Sequence, residues 1–204
     1  MTKENILKVA INEFSLYGYD AVSMNKLASK LEVNKATIYY HYKDKKSLYH
    51  AVLTKLIRQN RDQVEELVNS DIPAKEQFRN YIALFIETIK ETPQIIPLTL
   101  REMANLGINI QDHIEEDLEQ EVKYLVSILQ KLNLKEKYKD TDPYIIKALI
   151  LGTTTTYYSM QMSNVNVKTI KNLNKDSDTV LDYVNDFISD ILLDGLCEDT
   201  KNIK

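Results

Sequence analysis

The stretch Ser23 to Lys45, SMNKLASKLEVNKATIYYHYKDK, constrains the fold of this chain more than any other, because it holds two helix starts a short distance apart. Ser23 is a good N-cap, and Leu27, Ala28 and Leu31 follow at helical spacing, with Ala28 small enough to let a second helix cross closely. Glu32-Val33-Asn34 interrupts that pattern. Asn34 is again a capping residue, and Lys35 to Tyr42 read as a second helix, rich in Lys, Tyr, Thr and His. Two short helices around a three-residue turn have the length of a helix-turn-helix, whose second helix enters a nucleic-acid groove.

Helical periodicity continues along the chain. Ile6, Val9, Ala10 and Phe14 mark one face of a first helix, Lys3 to Tyr17, with Gly18 placed for a left-handed cap. Asp44 caps a fourth helix expected to run unbroken from Lys45 to about Asn69, long enough at ~1.5 Å per residue to span on the order of 35 Å. Phe78, Tyr81, Ile82, Phe85, Ile86 and Ile89 stripe a fifth helix, and Ile96, Leu100 and Met103 are expected to face inward on a short sixth. A seventh, Asn109 to Asn133, begins with acids suited to a helix N-terminus. Pro143 opens an eighth to about Ser163, interrupted by Thr153 to Thr156; a loop over Asn164–Ser177 follows, and Asp178 caps a final helix.

With four Gly and four Pro in 204 residues and no sustained β-branched alternation, the expected fold is all-α, about nine helices. The net charge of −4 is uneven: residues 1 to 50 carry +3 and the remainder −7. A basic head on an acidic body permits a nucleic-acid partner that the overall balance argues against. Cys197 stands alone, so no intrachain disulfide forms, and it reads as a small buried hydrophobe. Without an apolar leader or a run long enough for a membrane span, the expected location is the cytoplasm. No Gly-rich phosphate loop, no CxxC and no His-Glu zinc pair occurs, and His41, His50 and His113 are the only histidines. Catalysis, metal and cofactor are therefore not expected. His113 with Glu116 or Asp117 has ligand spacing, but those acids read as a solvated helix start, as do Glu87 and Glu102 on their helices.

From Ile6 to Leu48 the chain resembles the DNA-binding domain of the TetR family of transcriptional regulators. The resemblance is carried by Ala10, Phe14, Gly18-Tyr19, Ser23, Leu27-Ala28 and the run Val33 to Lys45, closed by Leu48. Glu32 departs from the family pattern, which usually has Gly before the Val; a non-Gly residue serves there if the turn does not demand a positive φ. The resemblance implies a helix-turn-helix domain over residues 1–46 and a ligand-sensing and dimerisation domain over 47–204, joined by a long helix. By position it assigns Asn25, Lys35, Ala36, Thr37 and Tyr40 to base edges, a donor and methyl set able to discriminate a mixed sequence. Ser23, Tyr39, His41 and Lys45 then bind phosphates and set the register, while Tyr42 reads as core.

The resemblance further implies a homodimer through the last two helices on near-palindromic operator DNA, and a small apolar or amphipathic inducer in the larger domain. Independently, the final helix (Val180, Leu181, Val184, Phe187, Ile188, Ile191, Leu192) has more apolar positions than one core seam needs. Phe85, Ile89, Met103, Tyr124, Thr154, Tyr157 and Met160 are the candidate pocket residues, apolar with a few hydroxyl handles. The expected function is a ligand-responsive regulator, a repressor; the alternative keeps the DNA-binding head and makes the body a docking surface for a protein partner.

Overall fold

A computed structural model describes residues 2–110, 112–162 and 177–198. The described residues are all-α, as expected. They form α1 (Lys3–Ala21), α2 (Met24–Lys30), α3 (Lys35–His41), α4 (Lys45–Ile57), α5 (Arg61–Val68), α6 (Ala74–Glu91), α7 (Ile95–Ala104), α8 (Asp112–Leu129), α9 (Pro143–Gln161) and α10 (Ser177–Leu196), with a short 3-10 turn at Glu136–Tyr138. The loop expected over Asn164–Ser177 lies outside the described residues except for Ser177, which opens α10 one residue before the expected cap.

The long fourth helix is broken in two. Arg58 (φ −87°, ψ 2°) ends α4 and Asn60 (φ −115°, ψ 22°) precedes α5. Asn60 is buried and its amide donates to the Leu84 carbonyl at 3.0 Å and to Thr88 Oγ1 at 2.7 Å. Arg58 Nε donates to Asp117 Oδ2 at 2.7 Å. An asparagine that competes for backbone-like partners is a poor helix residue. With these bonds available, the chain leaves the helix, and α4 spans only about 20 Å.

The chain packs as two units. The first comprises residues 1–59 and 92–118, the second residues 60–91 and 119–204. In the first, Ile6, Ala10 and Phe14 of α1, Leu27 of α2, Ile38 of α3, Leu48 and Val52 of α4, Leu98 of α7 and Ile114 of α8 share one buried core. The first helix does not end at Tyr17 but resumes beyond a kink at Gly18, φ +79°. A side chain there would be strained and would press on the Arg101 guanidinium, which lies 3.3 Å from the position of a Cβ and donates to the Leu16 carbonyl. On α7 the buried face is Ile96, Leu98 and Glu102, a different phase from the expected Ile96, Leu100 and Met103, and Met103 is 55% exposed. The sequence pattern assigned Glu102 to solvent, whereas hydrogen bonds from Tyr49 and Asn109 draw it inward and turn Met103 out.

In the second unit α6 packs on α5 and α10, and α9 on α10. Two ion pairs join α6 to α10, Arg79 with Asp190 and Lys90 with Asp182, each at 2.6 Å. Pro143 stands in the first turn of α9 after the Asp142 cap, whose carboxylate accepts from the Tyr144 amide at 2.9 Å. The threonine run is tolerated because Thr154 and Thr155 donate to the carbonyls of Ile150 and Leu151 at 2.7 and 2.8 Å. Cys197 is buried, paired by an isolated bridge with Leu134.

The turn between α2 and α3 does demand a positive φ. Glu32 has φ +54°, the left-handed region. Its Cβ is strained there, and among the described residues its exposed side chain has no hydrogen bond or ion pair that would compensate. Glu32→Gly trades a steric cost of about 1–2 kcal/mol for a chain-entropy cost of about 0.5–1 kcal/mol. The expected result is a midpoint of thermal unfolding raised by about 1–3 °C, read by circular dichroism. An unchanged or lowered midpoint would show that the turn carries no strain.

Candidate nucleic-acid interface

The reader helix α3 is held by two inward residues. Ile38 is fully buried and Tyr42, the C-cap, is 5% exposed, as its expected core role requires. With Ile38 and Tyr42 inward, the opposite side of the helix faces out: Ala36 is exposed, Tyr39 is 41% and Tyr40 86% exposed, and Lys35, Thr37 and His41 are half-buried at its edges. Asn34 caps the helix, its side-chain oxygen accepting from the Ala36 amide at 2.9 Å. Lys35 Nζ lies 5.4 Å from the Tyr39 ring centroid, and the Tyr40 and His41 rings meet edge-on at 5.1 Å. No acid stands on the helix, so every charge it can present is positive.

Ser23 caps α2 by accepting from the Lys26 amide at 3.1 Å, which leaves its own hydroxyl hydrogen free to donate. Asn25, beside it in the first turn of α2, is exposed. Lys45 is half-buried; its ammonium donates to the Asp20 carbonyl at 3.2 Å and sits 4.3 Å from the Tyr19 ring centroid. An ammonium has three donors, so two remain for phosphate. All nine candidate residues thus lie on α2, α3 and the start of α4, within the first unit.

Two buried polar clusters fix these helices, and neither was read from the sequence. Glu13 of α1 is fully buried, accepts from Lys30 and forms an ion pair with Lys26 at 3.3 Å, tying α2 to α1. Burial acts to raise the Glu13 pKa, but the hydrogen bonds and charges of the two lysines outweigh it and hold the carboxyl below its ordinary value. The second cluster holds α4. Tyr49 donates to Glu102 Oε1 at 2.5 Å, the Asn109 amide donates to the same oxygen at 3.1 Å, and the next residue, His50, meets the Asn109 carbonyl at 3.0 Å. Burial pushes the His50 pKa down and the Tyr49 pKa up. Spacing gives no hint of Glu102; an acid on an amphipathic helix reads as solvated until its partners are seen. Asp117, also expected in solvent, is 3% exposed and paired with Arg58. Among the described residues no group of three or more His, Cys, Asp or Glu could hold a metal ion, and no helix is long and apolar enough to cross a membrane.

The seven pocket candidates differ in burial. Ile89, Tyr124 and Thr154 are buried, Phe85 and Tyr157 half-buried, and Met160 is 55% exposed, all in the second unit; Met103 belongs to the first. None of them lines the hollow of about 160 Å³ between Val126, Leu129, Leu134, Tyr138, Pro143, Ile146 and Leu196. Thr154 is no free handle, since its hydroxyl donates within its own helix. A group the pattern missed is Lys147 on α9, whose pKa burial draws down to about 8 while the Glu121 charge acts the other way.

Residues 6–52 match the family of bacterial regulatory proteins, tetR family. The uncharacterized HTH-type transcriptional regulator YhgD of Bacillus subtilis (strain 168) is 24% identical over 150 residues, 73% of this chain and 78% of that protein. In fold, the chain is similar to the ketosteroid transcriptional regulator KstR2 of Mycobacterium tuberculosis, with TM-score 0.72, 15% identity, and coverage of 97% of this chain and 95% of that one. It is also similar to the transcriptional regulator FadR of Bacillus subtilis in complex with stearoyl-CoA, with TM-score 0.67, 19% identity, and coverage of 92% and 98%. An outward-facing α3, the matched segment that contains it and the likeness in fold agree: residues 6–52 match the tetR family of bacterial regulatory proteins, and the chain is similar over most of its length to transcriptional regulators.

Proposed function

We propose that this regulator binds near-palindromic operator DNA as a homodimer, acts as a repressor, and is released by a small apolar or amphipathic inducer. The functional division is a DNA-binding head over residues 1–46 and a sensing and dimerisation body over residues 47–204. The observation that carries the reading is the outward face of α3, where exposed Ala36, Tyr39 and Tyr40 and flanking Lys35, Thr37 and His41 stand free of acids. Ser23, Asn25 and Lys45 flank them.

Dimerisation is supported by apolar side chains that the second unit leaves in solvent. Ile145, Leu149 and Met160 on α9 are 55%, 48% and 55% exposed, and Tyr183, Phe187 and Ile191 on α10 are 56%, 49% and 54% exposed. Such a face suits an isologous partner. The inducer class is supported by the amphipathic stearoyl-CoA in the FadR structure. Phe85, Ile89, Tyr124 and Tyr157 are the lining residues the reading keeps. An inducer releases DNA only by binding one state of the protein better than the other. Within the first unit, Tyr49 and His50 tie α4, which follows the reader directly, to α7 and the turn after it, giving a rigid link through which such a preference can act.

The test compares two lysines by fluorescence anisotropy on duplexes recovered by selection from a random DNA pool. Lys35→Ala is expected to cost about 1–3 kcal/mol on the selected site and to flatten the preference between it and its single-base variants. Lys45→Ala is expected to weaken all duplexes alike and to reduce the salt slope by about 1 per protomer. If neither variant changes affinity, preference or slope, the contact assignment is wrong.

A further inference from the structure

The reader helix ends on Tyr42, and Tyr42 is bonded to a residue that lies outside both the matched segment and the helix-turn-helix. The Tyr42 hydroxyl donates to the Lys3 carbonyl at 3.3 Å, and the Lys3 ammonium stands 5.4 Å from the centroid of the Tyr42 ring. That distance lies within the roughly 6 Å over which a ring face attracts a cation. The first turn of α1 is thereby fastened to the C-terminal end of α3 by a ring that is itself 5% exposed. Lys3 is exposed and has no ion pair among the described residues; Lys43, one residue beyond Tyr42, is likewise exposed and outside any ion pair. Glu4, next to Lys3, is rotated by roughly 100° around the helix.

We infer that Lys3 is a phosphate-binding residue, contacting the DNA backbone beyond the C-terminal end of the reader. A helix in the major groove has a sugar-phosphate strand on either side, and a groove about 12 Å wide brings both within reach of flanking lysines. Lys45 and Ser23 serve the end of the interface near α2; Lys3, joined by Lys43, serves the end near Tyr42. An ammonium held to the ring face rather than to a carboxylate is a compact point charge that stays available to phosphate. Because the contact is to the backbone, it adds affinity and register but no base preference.

The inference rests on the DNA-binding reading, and the experiment separates the two. The full-length protein and its Lys3→Gln and Lys3→Arg variants are titrated with a duplex of about 30 base pairs, long enough for two half-sites one turn apart, at several salt concentrations. Lys3→Gln is expected to lower the slope of log affinity against log salt by about 0.9 per protomer, about 1.8 for a homodimer, with the ratio of selected to scrambled duplex unchanged. Lys3→Arg is expected to keep the original slope. A Lys3→Gln slope equal to the original, or an Lys3→Arg slope lowered as far as that of Lys3→Gln, overturns the assignment of Lys3 while leaving the DNA-binding reading intact. Absence of salt-dependent binding by the unmodified protein overturns that reading itself.

Discussion

Converting Leu149 and Phe187 together to aspartate is expected to give a folded chain that no longer self-associates and that binds its selected duplex about 10²–10⁴-fold more weakly. Both side chains are about half exposed in the single chain, 48% and 49%, so the fold loses little when they change. In a twofold interface each substitution occurs twice, placing four carboxylates in an apolar contact where each costs several kcal/mol unless neutralised or solvated. The affinity follows because two reader helices on one dimer bind as a linked pair, the second at high effective concentration once the first is seated. Sedimentation velocity reports the assembly, anisotropy the binding, and circular dichroism the unchanged helix content. A variant that still sediments as a dimer would move the interface elsewhere.

Phe14→Ala is expected to lower unfolding stability by about 3–5 kcal/mol, measured by urea titration. Phe14 is fully buried, meets the Tyr49 ring edge-on at 4.9 Å and stacks on Tyr19 at 6.3 Å. Truncation opens a cavity among residues of α1 and α4, and it forfeits aromatic contacts worth roughly 0.5–1.5 kcal/mol beyond burial. Leu16→Ala, two positions away and 62% exposed, is expected to change stability by no more than about 0.5 kcal/mol. If the two variants unfold alike, the first unit does not depend on this aromatic cluster.

The caps were legible because they are local chemistry. Ser23, Asn34 and Asp44 accept from amides two or three residues on, as their side chains predict. The reader was legible for the same reason: Ile38 and Tyr42, four apart, settle which side of α3 faces inward. The break between α4 and α5 was not legible, since Asn60 leaves the helix for partners on α6, more than twenty residues away. The α7 phase failed likewise, because Glu102 is pulled inward by Tyr49 of α4, distant in sequence. Met103, expected to face inward on its helix, is 55% exposed, because hydrophobicity says that a residue prefers burial and not that the fold provides it.

By itself, then, the sequence determined most of the helices, the caps Ser23, Asn34 and Asp44, and the outward face of α3, all set by interactions within a few residues of one another. Only the tertiary structure decided where the fourth helix stops, that Glu13, Glu102 and Asp117 are buried rather than solvated, and that Lys3 stands beside the reader. The physical reason is the same in each case. A buried charge or a helix break depends on a partner brought in from elsewhere in the chain, and periodicity carries no record of that partner.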